Sequence, residues 1–562
     1  MKRAATVLGV IIILLQGGFP DAVWFVCGLA ACVFLCFRWK KRPPAKVALL
    51  MAAINLIFIA SALYHGLSYE ALASVGKLMV ACLLLIAFFN IDADAGESLF
   101  VAGMVVAAIG FATFCGVVHW EGAVASRRLQ SVFQYSNAAG LYLGVAALYV
   151  RQDAKRTHYA VFIETAMLLT QSVGAILVYI AGWAVLILKN KESDFRQTLF
   201  NFAVSLFCAG AVYAMVYVLA LPPLGLILPV VLVIFRKKIR YWAGIVSRGK
   251  AVLWAGCALC IAAVAALLAL RGLTPFATYL ERLIQIGDGL KAMVSAPLGI
   301  GPGAWQYSYQ AYQSAPYTAT ILHCGYVVAG VNAGIAVLIL IGIGLVYWLK
   351  HQKWEEKSIC VLMILLHAVM DITFSFLAII YILAMLLPET LPSAKPSPIA
   401  ARSLLIIPLA LCAVVFISAA VKNIATWSAN SGFYAAAAER LESRVIRNDT
   451  EASLTQMSLY MQTGEYDMLD SAFESMPYPN ASAYSLKAQS LIQRQDYQEA
   501  AKYAYGCAEL SPYGEEGYSI LSEAAAHLDG TLQSEYMEKA DALKAEHRVN
   551  PLFILIQKLE GR

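Results

Sequence analysis

The stretch VALLMAAINLIFIASALY, residues 47–64, is eighteen residues long, carries no charge, and follows the basic segment RWKKRPPAK at 38–46. A helix of about 20 apolar residues crosses a bilayer, and a basic flank marks the cytoplasmic side. The same reading extends outward in both directions. Candidate spans recur at 4–18, 21–37, 73–90, 98–118, 136–150, 158–170, 173–188, 198–220, 222–235, 251–270, 325–349 and 402–421. The run 358–387 is thirty residues, too long for one upright helix, and reads either as a tight hairpin or as one tilted helix. Composition agrees. Hydrophobic residues make up 60% of the 562 and charged residues only 14%, where soluble domains carry about 25% charge. The expected fold is all-α, a polytopic transmembrane bundle of about 12–15 spans over 1–424 followed by a soluble helical repeat domain over 425–562.

Charge is divided between these parts. Residues 1–422 hold 31 Lys and Arg against 16 Asp and Glu, whereas 423–562 hold 11 against 20. The net of +6 therefore averages a basic membrane part and an acidic tail, and it gives no reason to expect nucleic acid as a partner. With the N-terminus cytoplasmic, 22 basic residues up to Lys357 fall on the inner side, and only Lys77, Arg127, Arg128, Arg271, Arg282 and Lys291 fall outside. That bias orients the chain. It leaves one long outer loop, 271–324, poor in basic residues and rich in aromatics.

The cysteines carry no clear chemistry. Cys257 and Cys260 form a CxxC inside an apolar run, and we read them as buried apolar groups. The start MKRAATVLGVIIILL lacks a small-residue cleavage site and reads as a first helix. In the tail, Tyr484, Ala488, Leu491, Ala500, Cys507 and Pro512 fall at tetratricopeptide offsets. A weaker copy precedes them, and Tyr518 restarts the pattern 34 residues after Tyr484. The alternative is an ordinary amphipathic hairpin. Such repeats bind partner proteins and do no chemistry.

Four polar clusters interrupt the apolar background: SRRLQSVFQYSNAAGLYL (126–143), LLTQSVGAIL (168–177), the loop segment 281–335, and LLHAVMDITFSF (365–376). Arginine supplies permanent charge and paired donors; Arg127, Arg128, Arg271 and Arg282 are the outward ones. His323 stands at the end of the loop, a side chain that titrates near neutral pH. Trp305, Tyr307, Tyr309, Tyr312 and Tyr317 suit stacking on sugars, and the glycines Gly299, Gly301 and Gly303 suit close backbone approach. Each has a plainer reading: headgroup-anchoring arginines, an interfacial aromatic belt, a tight turn, a structural histidine. Asp371 and His367 in an apolar run suggest function or a bracing pair.

The order of these clusters resembles the O-antigen ligase/polymerase-like family over roughly residues 100–390. It runs RL.S.F...N..G, then T.S.GA, then ERL with PLGIGPGAW, Tyr317-Thr318 and His323, then H...D...SF. The resemblance is to the members with tetratricopeptide repeats after the membrane part. It implies a bacterial GT-C-type glycosyltransferase of the cytoplasmic membrane, inverting and metal-independent, with no cofactor. The donor would be a polyprenyl-diphosphate-linked oligosaccharide and the acceptor a glycan, lipid or protein hydroxyl at the outer face. Arg282 and Arg128, with Arg127, would hold the diphosphate, and His323 would activate the acceptor. Asn137, Gly301, Gly303, Trp305, Tyr309 and Asp371 would line the substrate site. The tail would be extracytoplasmic if 358–387 is a hairpin, the reading favoured here because it gathers the polar clusters on one side.

The sequence departs from the family pattern at Val173, where an arginine is usual, at Cys324 and Asn332, and at Ile286-Gly287, where an aromatic is usual. These keep a second reading open, a non-catalytic membrane scaffold of envelope assembly. A transporter or flippase ranks last, since no half-to-half similarity is visible.

Overall fold

The computed structural model describes residues 2–153, 156–189, 193–246, 274–392, 395–396, 399–547 and 549–559, with Ala258 between. The expected span 251–270, the Cys257–Cys260 pair and Arg271 lie outside the described residues. The chain is all-α. Among the described residues the strands form two short pairs, β1 (Lys41–Arg42) with β4 (Lys395–Pro396), and β2 (Val124–Ala125) with β3 (Arg128–Leu129).

The membrane part begins with α1 (Lys2–Leu14), α2 (Asp21–Arg38), α3 (Ala45–Tyr64), α4 (Tyr69–Phe88) and α5 (Ala95–Phe114). It continues with α6 (Ser136–Gln152), α7 (Ala160–Leu169), α8 (Val173–Lys189), α9 (Ser193–Tyr217) and α10 (Ile227–Val246). From residue 274 onward come α11 (Thr274–Val294), α12 (Gly325–Ala333), α13 (Ile335–Lys350), α14 (Glu356–His367), α15 (Leu377–Thr390) and α16 (Ile406–Asn430). The tail holds α17 (Tyr434–Glu442), α18 (Thr450–Thr463), α19 (Tyr466–Glu474), α20 (Ala481–Gln493), α21 (Tyr497–Leu510), α22 (Glu515–Ala525), α23 (Gly530–Glu546) and α24 (Pro551–Leu559).

Six described helices are long and apolar enough to cross a membrane: 21–38, 45–64, 69–88, 95–114, 199–217 and 402–430. Shorter apolar helices cover 173–186, 335–350 and 377–390. The expected spans 4–18 and 158–170 appear as the shorter helices α1 and α7. Helix α3 has the exposure of a lipid-facing helix. Leu49, Leu56 and Leu63, spaced by seven, lie on one stripe, each at least 60% exposed, and such a stripe suits a lipid environment.

Helix starts follow side-chain caps. Ser68 accepts from Ala71 N at α4, Asp94 from Glu97 N at α5, Asp449 from Ala452 N at α18 and Asn480 from Ala483 N at α20; each satisfies a backbone donor that the first turn leaves open. In the bundle α16 packs on α2 and α4, and α6 packs on α5, α7, α8 and α14. The thirty-residue run 358–387 is broken: α14 ends at His367, α15 begins at Leu377, and the two pack together. Asp371 sits in the break.

The bundle has two unlike ends. One carries the β1–β4 pair, tied to Asn90, whose Oδ1 accepts from Lys40 N and Lys41 N. The other carries the start of α4, the β2–β3 hairpin, the loop 295–324, the α14–α15 break and the tail. Tyr69 N donates to Asn448 O at 2.7 Å, and Asn550 N donates to Ser314 O at 2.9 Å, so the tail touches this end at two separate places. Helix α24 lies on α11, with Ile556 buried in the apolar cluster around Leu280 and Ile284.

Candidate active site

Four segments distant in sequence meet at the tail-bearing end. The β2–β3 hairpin turns through Ser126 and Arg127, both with positive φ (50° and 58°). A two-residue hairpin turn favours that left-handed geometry, and a side chain there costs of order 1 kcal/mol or more. The turn delivers Arg128 inward. Its Nε donates to Thr170 O and its Nη2 to Asn137 Oδ1, each at 3.0 Å. Arg127 goes elsewhere: it is exposed, with its guanidinium 5.7 Å from the Tyr217 ring centroid.

Asp371 is the hub. Its Oδ1 accepts from Tyr135 OH at 2.8 Å and from Ile372 N at 2.8 Å. Its Oδ2 accepts from Asn137 Nδ2 at 2.7 Å and lies 3.0 Å from Arg282 Nη1. Both partners of the ion pair are buried. Arg282 Nη1 also donates to Met370 O, yet its Nε is buried without a partner. A buried donor left unsatisfied is costly, and a guanidinium edge is shaped to take an oxyanion by two parallel bonds.

His323 stands beside this pair, half-buried at the end of the long loop. Its Nδ1 is 2.9 Å from Gln285 Oε1. Burial, and then the Arg282 charge, hold its imidazole below the usual imidazole range, against an opposing pull from Asp371. It is therefore neutral near pH 7 and able to accept a proton. His367, one turn before the break, has Nδ1 2.8 Å from Thr373 Oγ1. The fold thus brings Arg128, Asn137, Arg282, His323 and Asp371 together.

It places the glycines and the loop aromatics apart from that polar cluster, although Gly303, Trp305 and Tyr307 line a nearby apolar groove. Gly299, Gly301 and Gly303 all have positive φ, and they serve a turn locked to α3, α4 and α12. Ile300 N donates to Val331 O at 3.0 Å, Gly303 N to Asn332 Oδ1 at 3.1 Å, and Gly299 O lies 3.0 Å from His65 Nε2. A Cβ on Gly301 would fall 2.9 Å from Tyr478 Oη of the tail, and one on Gly303 would meet Glu70 backbone at 2.8 Å. Trp305 and Tyr309 are buried within an apolar cluster that also holds Tyr317 and Ile556. Asp288 holds that part of the loop by accepting from Ser314 N at 2.9 Å and Tyr317 OH at 3.1 Å. Asn332, where the family pattern has an acid, serves here as the acceptor for Gly303.

Three side chains of the cluster escaped the sequence reading. Tyr135 lies inside a quoted motif but carried no signal of its own. Gln285 follows Arg282 at i+3, which puts both on one helix face, and that spacing could have exposed it. Tyr279 lies 5.7 Å from the Arg282 guanidinium by its ring centroid, and its hydroxyl would be 3.3 Å from a Cβ at Gly174, the residue after Val173.

This apolar groove, of about 980 Å³, comes near the cluster through chain neighbours of His323 and Asp371, while Arg128, Asn137, Arg282, His323 and Asp371 are not among its lining residues. Ile54, Phe58, Leu78, Ile341 and Leu383 line its apolar length, and Asp21, Tyr69, Lys77, Tyr307 and Lys422 line its polar part. Leu322, Gly325, Ile372 and Phe374, which flank His323 and Asp371, form part of its wall. Among the described residues no three His, Cys, Asp or Glu side chains gather as metal ligands would.

No protein-family model matches this chain, and no curated protein or solved structure does.

Proposed function

We propose that this membrane protein is a glycosyltransferase, moving or polymerising a polyprenyl-diphosphate-linked glycan onto an acceptor hydroxyl at the outer face of a bacterial cytoplasmic membrane. The observation that carries the reading is the convergence of Arg128, Arg282, Asp371 and His323 on one end of the bundle, next to a long apolar groove. The groove suits a lipid chain, and its wall adjoins the polar cluster, where a diphosphate would lie.

In the transfer, the acceptor oxygen forms a bond to the anomeric carbon as the bond from that carbon to the phosphate oxygen breaks. The electron pair leaves with the lipid diphosphate, whose charge falls to the unpartnered Nε side of Arg282 and to Arg128. The acceptor proton passes to neutral His323. Asp371 takes no proton; it fixes Arg282, Asn137 and Tyr135 so that the cations are in place before the donor arrives. On this reading the tail helices are tetratricopeptide-like, lie outside, and recruit a protein partner.

A second reading, a non-catalytic scaffold, is favoured by Val173 where the family pattern has an arginine. One experiment separates them. Deletion of the gene in its host should remove an envelope glycan and accumulate its lipid-linked precursor, and wild-type but not His323→Ala should restore it at equal membrane level. Full restoration by His323→Ala refutes the catalytic reading.

A further inference from the structure

His323 Nδ1 ends a chain of two side chains that begins at Glu281. Gln285, 1% exposed on the inner face of α11, has its Nε2 donating to Glu281 Oε1 at 3.0 Å and its Oε1 2.9 Å from His323 Nδ1. An ionised carboxylate only accepts, so the amide must turn its NH2 to Glu281 and its carbonyl to the ring. A carbonyl also only accepts, so Nδ1 must carry the proton. Among the described residues Nε2 has no hydrogen-bond partner.

We propose that Gln285, oriented by Glu281, is a positioning residue that holds His323 in the Nδ1–H form and leaves Nε2 as its basic nitrogen. This rests on His323 being the acceptor-activating base. The charged groups facing the ring are Arg282, from the same helix as Gln285, and Asp371, from the α14–α15 break. Asp371 already receives four donors, so the ring's recorded hydrogen bond goes to the Gln285 amide. The arrangement differs from a His–carboxylate pair in one respect. A neutral carbonyl sets the tautomer while stabilising the imidazolium less than a carboxylate would, which favours the neutral ring beside Arg282.

The tautomer is read directly, without a substrate, on the full chain in phospholipid nanodiscs with ring-15N histidine. The His323 signal is assigned by its loss in His323→Gln. The expected result is a proton on Nδ1 in wild type and a mixture of both tautomers in Gln285→Leu. A proton on Nε2 in wild type, or an unaltered Nδ1–H form in Gln285→Leu, overturns the proposal. Membrane vesicles from the host, carrying their own lipid-linked glycans, supply the second readout. There Gln285→Leu should lose about 10–100-fold in transfer, the scale for partners that orient a reacting group. Gln285→Glu keeps the acceptor and adds a charge that favours the imidazolium, so the acid limb of its pH profile should move to higher pH; an unmoved limb also overturns the proposal. If His323→Ala transfers normally, the functional reading fails while the tautomer result stands. If His323→Ala is inactive and the tautomer ignores Gln285, only this inference fails.

Discussion

Asp371 concentrates more order than any neighbour: Tyr135, Ile372, Asn137 and Arg282 all direct donors to its two oxygens, inside a site from which water is largely excluded. Breaking a buried ion pair from one side costs about 3–5 kcal/mol, because the remaining charge stays buried alone. Asp371→Ala should therefore lower the melting point of the detergent-solubilised protein clearly, followed as loss of the monodisperse peak on heating. An unchanged melting point would refute the assignment of Asp371 as the hub. The residue was legible as important, since a carboxylate in an apolar run is costly and needs a reason. Of its partners, Asn137 and Arg282 entered only through the family resemblance, and neither Tyr135 nor the pairing with Asp371 was visible. Tyr135 and Asn137 precede it by 236 and 234 residues, and no local pattern encodes a contact at that separation. The surroundings of the loop aromatics and glycines were hidden for the same reason: burial is a property of the neighbours, and the sequence does not list neighbours.

At the scale of elements, the turn 299–303 and helix α11 show how far local rules reach. PLGIGPG is plainly a turn, and the backbone geometry says why it needs glycine. Gly299 has φ +71°, and a Cβ there would lie 2.2 Å from Val331 O. Gly299→Ala should destabilise by more than the roughly 1–2 kcal/mol of the left-handed conformation itself, since the clash with backbone adds to it. Gly287→Ala, exposed on α11 with open space around its Cβ position, should instead be neutral or stabilise by about 0.5–1 kcal/mol. Paired melting curves check both, and equal effects would contradict the packing. Helix α11 occupies Thr274–Val294, within the stretch 271–324 that the sequence suggests is a loop. Its apolar residues alternate between the buried Leu280 and Ile284 and the exposed Phe276 and Leu283, and with polar groups between them no continuous apolar run marks it as a span.

Across the whole molecule, the division of charge found in the sequence reappears as a seam. Lys422, the last cation of the basic part, meets Asp449 at 3.2 Å and Glu451 at 2.8 Å, the acids at the start of α18, and lies 3.6 Å from the Tyr69 ring centroid. Thr450 N donates to Glu70 Oε1 at 2.8 Å across the same junction. Lys422→Met leaves Asp449 buried without its counter-ion, so the tail should loosen from the bundle and be cut by protease at least several-fold faster, while the wild-type tail is protected. Equal cleavage rates would show that the seam holds without the ion pair. The sequence by itself determined the membrane class, the helical content and the four polar clusters, because hydrophobic runs, charge bias and costly polar residues are local or additive quantities. Only the tertiary structure decided which clusters meet, that the glycine turn belongs to packing, that Arg127 and Arg128 part company, and that the tail rests on the same end as His323. Those are matters of long-range contact, set by how buried faces and unsatisfied polar groups find partners across hundreds of residues.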